Sequence, residues 1–323
     1  MWWRRAGSRK GEADVKREKA ERATVGEWLG WAERTYEREK VALGQVATNA
    51  HDEALYLLLR TLGLSLESDA GVLERKVSAA ERVTLEEVFR KRIHERVPAA
   101  YLTKEAWLGE LRFYVDERVI IPRSYFLEII PRLAAGGTAA GSGDPALQRN
   151  KVRRVVDVCT GSGCLAVLLA HAFPKAQVEG IDLSREALDV ARINVREHEL
   201  EKRVRLWESD VFDAVPPAKY DLILSNPPYE PSALVDAQDP EFAAEPRMAH
   251  DGGVDGMAIV RKLLRQARER LTPGGIVVVE VGGLRRAIDK EFAALQPEWL
   301  ATEDGSDCVF LVREERLRRG LRG

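Results

Sequence analysis

The sequence predicts an α/β protein: a small N-terminal helical domain, a β-hairpin linker, and a mostly parallel sheet covered by helices on both faces. Three observations predict it. Apolar strand-like runs alternate with helical patterns from residue 152 onward. The first of those runs ends in a glycine turn, Gly161-Ser162-Gly163, that leads directly into a helix. Residues 25–96 instead place apolar side chains at the three-and-four spacing of amphipathic helices.

Taken in order, residues 1–23 hold Trp2, Trp3 and several arginines, followed at once by acids, and read as a solvated N-terminal tail with no apolar signal core. The helical domain covers 24–97. Trp28, Leu29, Trp31 and Ala32 mark its first helix, and the run Leu55 to Leu59 marks a second that ends near Gly63. Thr84 with Glu87 forms a capping-box pattern predicted to open a third helix at Leu85. The linker, 98–123, carries Trp107, Leu111, Phe113, Tyr114, Val115, Val119 and Ile120, which suggest a short hairpin. The last domain, 124–323, opens with a helix over 125–134. Residues 135–150, rich in Gly, Ala and Ser, predict a flexible loop. Strands are then predicted over 152–158, 177–181, 204–207, 220–225, 275–281 and 308–312, with helices over 163–171, 185–197 and 257–271.

Composition narrows the function. A chain of 323 residues with a formal net charge of -2 is a poor match to a protein that grips a nucleic-acid backbone, so direct nucleic-acid binding is not predicted. No apolar run approaches the length of a membrane span. The three cysteines, Cys159, Cys164 and Cys308, point to a reducing, cytoplasmic setting. Cys159 and Cys164 have no zinc-hook spacing and no completing Cys/His pair, so no metal site is predicted.

Three successive strand ends point into one crevice. The first reads Asp157-Val158-Cys159-Thr160-Gly161-Ser162-Gly163, a turn whose glycines let backbone approach a ligand. The second ends in Asp182-Leu183. Asp182 stands about 20 residues past the turn, where a carboxylate accepts from both hydroxyls of a ribose. The third ends in Asp210-Val211-Phe212, an acid for an adenine amino group beside apolar contacts for its ring. Acids suit a cationic sulfonium better than a diphosphate, which favours helix N-termini and basic groups. The expected cofactor is therefore S-adenosylmethionine. Its candidate contacts are Asp157, Thr160, Gly161, Ser162, Gly163, Asp182, Leu183, Asp210 and Val211, with Asn226 at the reacting end.

The fourth strand runs into Asn226-Pro227-Pro228-Tyr229. Two prolines stiffen the turn and hold Asn226 extended. A planar NH2 group is a poor nucleophile because its lone pair is delocalised. If the Asn226 side-chain oxygen accepts one N–H and the Pro227 carbonyl the other, the nitrogen is fixed with its face toward a methyl carbon. Both bonds strengthen as the nitrogen becomes tetrahedral, so binding favours the transition state. Tyr229 can wall off the flat substrate beside Pro228. Asn226, Pro227 and Tyr229 are the catalytic candidates, and Pro228 joins them in binding substrate.

These residues resemble the class I methyltransferases, a Rossmann-like fold, that carry an Asn-Pro-Pro-Tyr motif. The motif alone does not separate amide methylation from methylation of exocyclic amines on DNA or RNA bases. Further stretches resemble the protein-glutamine N-methyltransferases: Arg96-Val97-Pro98-Ala99-Ala100-Tyr101-Leu102-Thr103, Glu105-Ala106-Trp107 and Ile121-Pro122-Arg123-Ser124. Glu245-Pro246, His250-Asp251-Gly252-Gly253-Val254-Asp255-Gly256 and Glu280-Val281-Gly282 are similar as well. Within that family, Glu105-Ala106-Trp107, Phe113-Tyr114-Val115-Asp116-Glu117-Arg118-Val119, Ile121-Pro122-Arg123-Ser124 and Asp157-Val158-Cys159-Thr160-Gly161-Ser162-Gly163-Cys164 resemble the branch that methylates the third large-subunit ribosomal protein, sister to the release factor glutamine methyltransferases. The resemblance covers nearly the whole chain. It implies a seven-stranded sheet with an antiparallel final strand, and a helical domain that recognises a protein substrate. It also implies a glutamine entering beside Asn226, and Arg123 bordering the site as a substrate contact. The alternatives it leaves are a release factor as substrate, a nucleic-acid amine methyltransferase, and a factor that only binds the cofactor.

Overall fold

The computed structural model describes residues 22–136, 147 and 149–320. The expected tail over 1–23 and the glycine-rich loop over 135–150 lie largely outside the described residues. The chain divides into two compact units between Thr103 and Lys104. Among the described residues no helix is long and apolar enough to cross a membrane.

The first unit is helical. α1 (Val25–Glu39) is opened by a capping box in which the Thr24 hydroxyl accepts from Glu27 N and the Glu27 carboxylate accepts from Thr24 N. α2 (Ala50–Thr61) is capped by Asn49. α3 (Ala79–His94) begins earlier than the Thr84–Glu87 pattern predicts, because Ser78 and Glu81 form the capping box instead. Both tetrads fit the motif, and the intervening Ala79, Ala80 and Arg82 favour helix, so the first one starts it. Thr84 lies inside, with its hydroxyl on the Ala80 carbonyl at 3.3 Å. α4 (Ala99–Thr103) follows. The core stacks Trp28 on Phe89 with Trp31 edge-on, and the Arg22 guanidinium lies 4.1 Å from both indole centroids. Arg92, wholly buried, is paired with buried Glu53 at 2.7 Å.

The second unit opens with an antiparallel hairpin, β1 (Ala106–Leu108) and β2 (Leu111–Phe113). It is shorter than the expected run to Ile120. Asn194 explains why: its side chain accepts from Tyr114 N at 2.7 Å and donates to Tyr114 O at 3.0 Å, taking the main-chain bonds a longer ladder would need. α5 (Phe126–Ala134) leads to the sheet. In order come β3 (Arg154–Val158), α6 (Cys164–Ala172), β4 (Gln177–Asp182), α7 (Arg185–Glu197), β5 (Val204–Glu208) and β6 (Tyr220–Ser225). Then follow α8 (Ser232–Val235), α9 (Pro240–Ala243), α10 (Ala258–Ala267), β7 (Leu271–Glu280), α11 (Arg285–Glu291), β8 (Glu298–Leu300), β9 (Val309–Arg313) and α12 (Glu314–Gly320).

The seven strands lie in the order β5-β4-β3-β6-β7-β9-β8. β3 to β7 are parallel, and β9 runs antiparallel to both its neighbours. The inner strands are buried on both faces and their side chains alternate between two cores. Val155, Leu222, Leu224, Ile276 and Val278 face one; Val156, Val158, Ile223, Val277 and Val279 face the other. The helix expected over 257–271 stops at Ala267, and the following strand starts at Leu271 rather than 275. β8 escapes sequence reading because three residues carry no period. Residues 314–320, beyond the last strand the sequence predicts, form α12 and bury Leu317 completely. Order reverses beside β3: the chain winds out through β4 and β5, then returns to β6. That switch point is where open α/β sheets bind ligands.

Candidate active site

At the carboxyl ends of β3 to β6 lies a cavity of about 700 Å³. The first turn supplies Cys159, Thr160, Gly161 and Ser162 to its wall, the second Asp182, Leu183 and Ser184, the third Asp210 and Val211. The turn after β6 adds Asn226, Pro227, Pro228 and Tyr229, and Ser124 and Arg123 enter from the segment before α5. Asp157 and Gly163 are not among the lining residues. They shape the turn from behind: Asp157, fully buried, accepts from the Thr160 hydroxyl at 2.6 Å, and burial pushes its carboxyl up to about 7 despite that bond.

The turn forms a cradle. Gly161 has φ +52, and a Cβ there would meet only an Ile120 methyl at 3.9 Å, so its face is open to the cavity. Asp182 accepts from Gly161 N at 2.8 Å on one carboxylate oxygen and from Ser184 N at 2.9 Å on the other. Burial pushes its carboxyl up, against those donors. Each oxygen keeps a lone pair, the requirement for a diol. Asp210 is held by the Lys262 ammonium at 2.8 Å. Val211 sits at φ +54, which is costly for a β-branched residue and turns its side chain into the cavity wall. Asp182 and Asp210, an open glycine face and apolar Leu183 and Val211 fit S-adenosylmethionine, and the arginines on the wall, Arg118, Arg123 and Arg247, are each paired with a carboxylate.

Asn226 is oriented from behind. Its Nδ2 donates to Glu280 Oε1 at 3.2 Å, and Glu280 lies at the end of β7, directly beside β6. Glu280 is 4% exposed and also accepts from Ser124 Oγ at 2.5 Å and Tyr125 N at 3.1 Å. Burial pushes its carboxyl up to about 7, while those three donors and Arg123 pull the other way. Among the described residues no group donates to Asn226 Oδ1 or to the Pro227 carbonyl.

Two more features were missed from sequence. Arg123 lines the cavity, but its guanidinium is engaged with Glu245 through two contacts of 2.7 Å and with the Ile121 carbonyl at 3.1 Å. Burial works against the Glu245 carboxylate, yet Arg123 and His250 hold it below the usual range. The second is a clamp on the motif. Glu230 bridges Asp251 in parallel fashion, with Glu230 N on His250 O and Gly252 N on Glu230 O, both at 2.9 Å. The role of Glu280 comes from strand register, which only the fold reveals: Ser225 pairs with Val279, so the next residues, Asn226 and Glu280, are neighbours.

Comparison with known proteins bears on this geometry. A family model described as "Methyltransferase small domain" matches residues 145–239. A ribosomal protein uL3 glutamine methyltransferase of Bordetella pertussis is 42% identical over 91% of this chain and 96% of its own length. Proteins of the same name from Neisseria meningitidis, over 92% of this chain and 95% of theirs, and Bradyrhizobium diazoefficiens, over 91% and 92%, are each 40% identical.

Proposed function

The chain belongs to the ribosomal protein uL3 glutamine methyltransferases, and from that premise we propose how its residues act. It is an S-adenosylmethionine-dependent enzyme that methylates a glutamine side chain of that large-subunit ribosomal protein. The cofactor supplies an electrophilic methyl on a sulfonium, a good leaving group. Gly161 gives it room for close approach, Asp182 accepts its ribose hydroxyls, and Asp210 accepts from its adenine.

The observation that carries the reading is the composition of one cavity: the glycine turn, Asp182, Asp210 and the Asn226–Tyr229 turn share its wall. The substrate carboxamide enters with one N–H on Asn226 Oδ1 and the other on the Pro227 carbonyl. Held by two acceptors in the amide plane, the nitrogen presents its face to the methyl group. As the nitrogen becomes tetrahedral its hydrogens grow more acidic, so both bonds strengthen in the transition state and little in the ground state. The nitrogen–carbon bond would form as the carbon–sulfur bond breaks, leaving S-adenosylhomocysteine as a neutral thioether, and the methylated nitrogen would release one of its two hydrogens as a proton; positioning supplies the rest of the rate. Tyr229 walls off the opposite side.

The test is direct. Protein uL3 from cells lacking this chain, incubated with the enzyme and S-adenosylmethionine, gains one methyl on a glutamine by mass spectrometry. Asn226→Ala lowers kcat by about a hundredfold or more and leaves cofactor affinity nearly unchanged. Methyl transfer to naked nucleic acid with none to uL3, or full activity of Asn226→Ala, overturns the reading.

A further inference from the structure

We propose that Glu280 is the positioning residue of the carboxamide site: by accepting the Asn226 side-chain NH2 it dictates which end of that amide faces the substrate. This rests on the reading of Asn226 as the acceptor for the substrate N–H. A carboxamide has two ends of nearly equal shape, and a flip exchanges an acceptor for a donor. Only the oxygen end receives a substrate NH2; the other end would set donor against donor. The prolines fix the backbone at Asn226 but do not choose between the two ends.

Glu280 makes the choice. Its Oε2 is taken by two donors, the Ser124 hydroxyl and Tyr125 N. Its Oε1 therefore faces Asn226 as an acceptor, at 3.2 Å from Nδ2. A buried acceptor without a donor is costly, so the amide that flips loses its bond and leaves Oε1 opposite an oxygen. Ser124 lines the cavity as well, so the same carboxylate ties the segment before α5 to the end of β6.

Glu280→Gln tests this, since it keeps size and burial. Its oxygen stays with Tyr125 N and Ser124, its NH2 meets Asn226, and Asn226 turns its own NH2 toward the substrate. The expected result is a fall in kcat of about a hundredfold, with S-adenosylhomocysteine affinity and KM for uL3 within about threefold. Glu280→Met, which offers Asn226 neither acceptor nor donor, removes the preference without inverting it and should fall less than Glu280→Gln. In an Asn226→Ala background Glu280→Gln should cause no further loss, because both changes remove one interaction. Wild-type kcat in Glu280→Gln overturns the proposal. So does an undiminished second loss in the Asn226→Ala background, or a collapse of cofactor binding, because either marks a merely structural carboxylate. Full activity of Asn226→Ala alone instead overturns the reading on which it rests.

Discussion

Asp182, half-buried, and Glu280, buried, are both carboxylates at strand ends, yet their neighbours prepare them for different work. Asp182 spends one lone pair per oxygen on backbone N–H groups and keeps the others at the cavity wall. Asp182→Asn would place an NH2 against one of those N–H groups and remove an acceptor. S-adenosylhomocysteine affinity by calorimetry should then fall by about ten- to a hundredfold, with kcat at saturating cofactor changed much less. Glu280 carries a pH consequence. Its carboxyl is pushed up to about 7 by burial, with the Arg123 cation opposing and the neutral Tyr229 phenol and Cys308 thiol nearby. Between its ordinary pKa and 7 the folded state binds the extra proton, so this group makes folding less favourable as pH rises through that window. Activity runs the other way. A protonated Oε1 can donate to Asn226 Oδ1 and invert the amide. The kcat profile should show an acid limb near pH 7 that Glu280→Gln lacks; an identical limb in that variant assigns it elsewhere.

At the scale of elements, the Asn-Pro-Pro-Tyr turn is not rigid by its prolines alone. The strip 250–256 runs against it backbone to backbone. A Cβ at Gly256, which has φ +75, would lie 2.2 Å from the Tyr229 carbonyl oxygen, a contact only backbone movement could relieve. Gly256→Ala should therefore displace the motif. The expected outcome is a loss of kcat of about tenfold or more, with cofactor affinity retained because the glycine turn after β3 is untouched. Measured activity within twofold of wild type would show that the strip merely rests there. This clamp also marks the limit of sequence reading. The turns after β3, β4, β5 and β6 were legible because Gly, Asp and Pro at strand ends have local causes. The roles of Glu245, Glu280 and Gly256 were not, although their segments were noticed. Their partners lie far along the chain, as Arg123 with Glu245 and Tyr229 with Gly256 show. The same distinction explains α3, where two equal capping patterns competed, and the hairpin, which Asn194 cut short from 80 residues away.

At the scale of the molecule, the two units have separate hydrophobic cores, Trp28 to Phe89 in one and the two faces of the sheet in the other. Every residue lining the cavity belongs to the second unit. A ligand stabilises only what unfolds together with its site. S-adenosylhomocysteine at about a hundred times its Kd adds about 2.7 kcal/mol to the state that binds it. Native-state hydrogen exchange on the full chain should register that gain as slower exchange in the turns after β3, β4 and β5 and in the strands behind them. Amides of α1 to α3, whose protection comes from the Trp28 and Phe89 core, should keep their rates. The contrast follows from linkage: cofactor binding cannot suppress an opening that leaves the site intact. Equal slowing in both units would show that they open as one cooperative body. In that case the helical unit would report the cofactor state to whatever it binds.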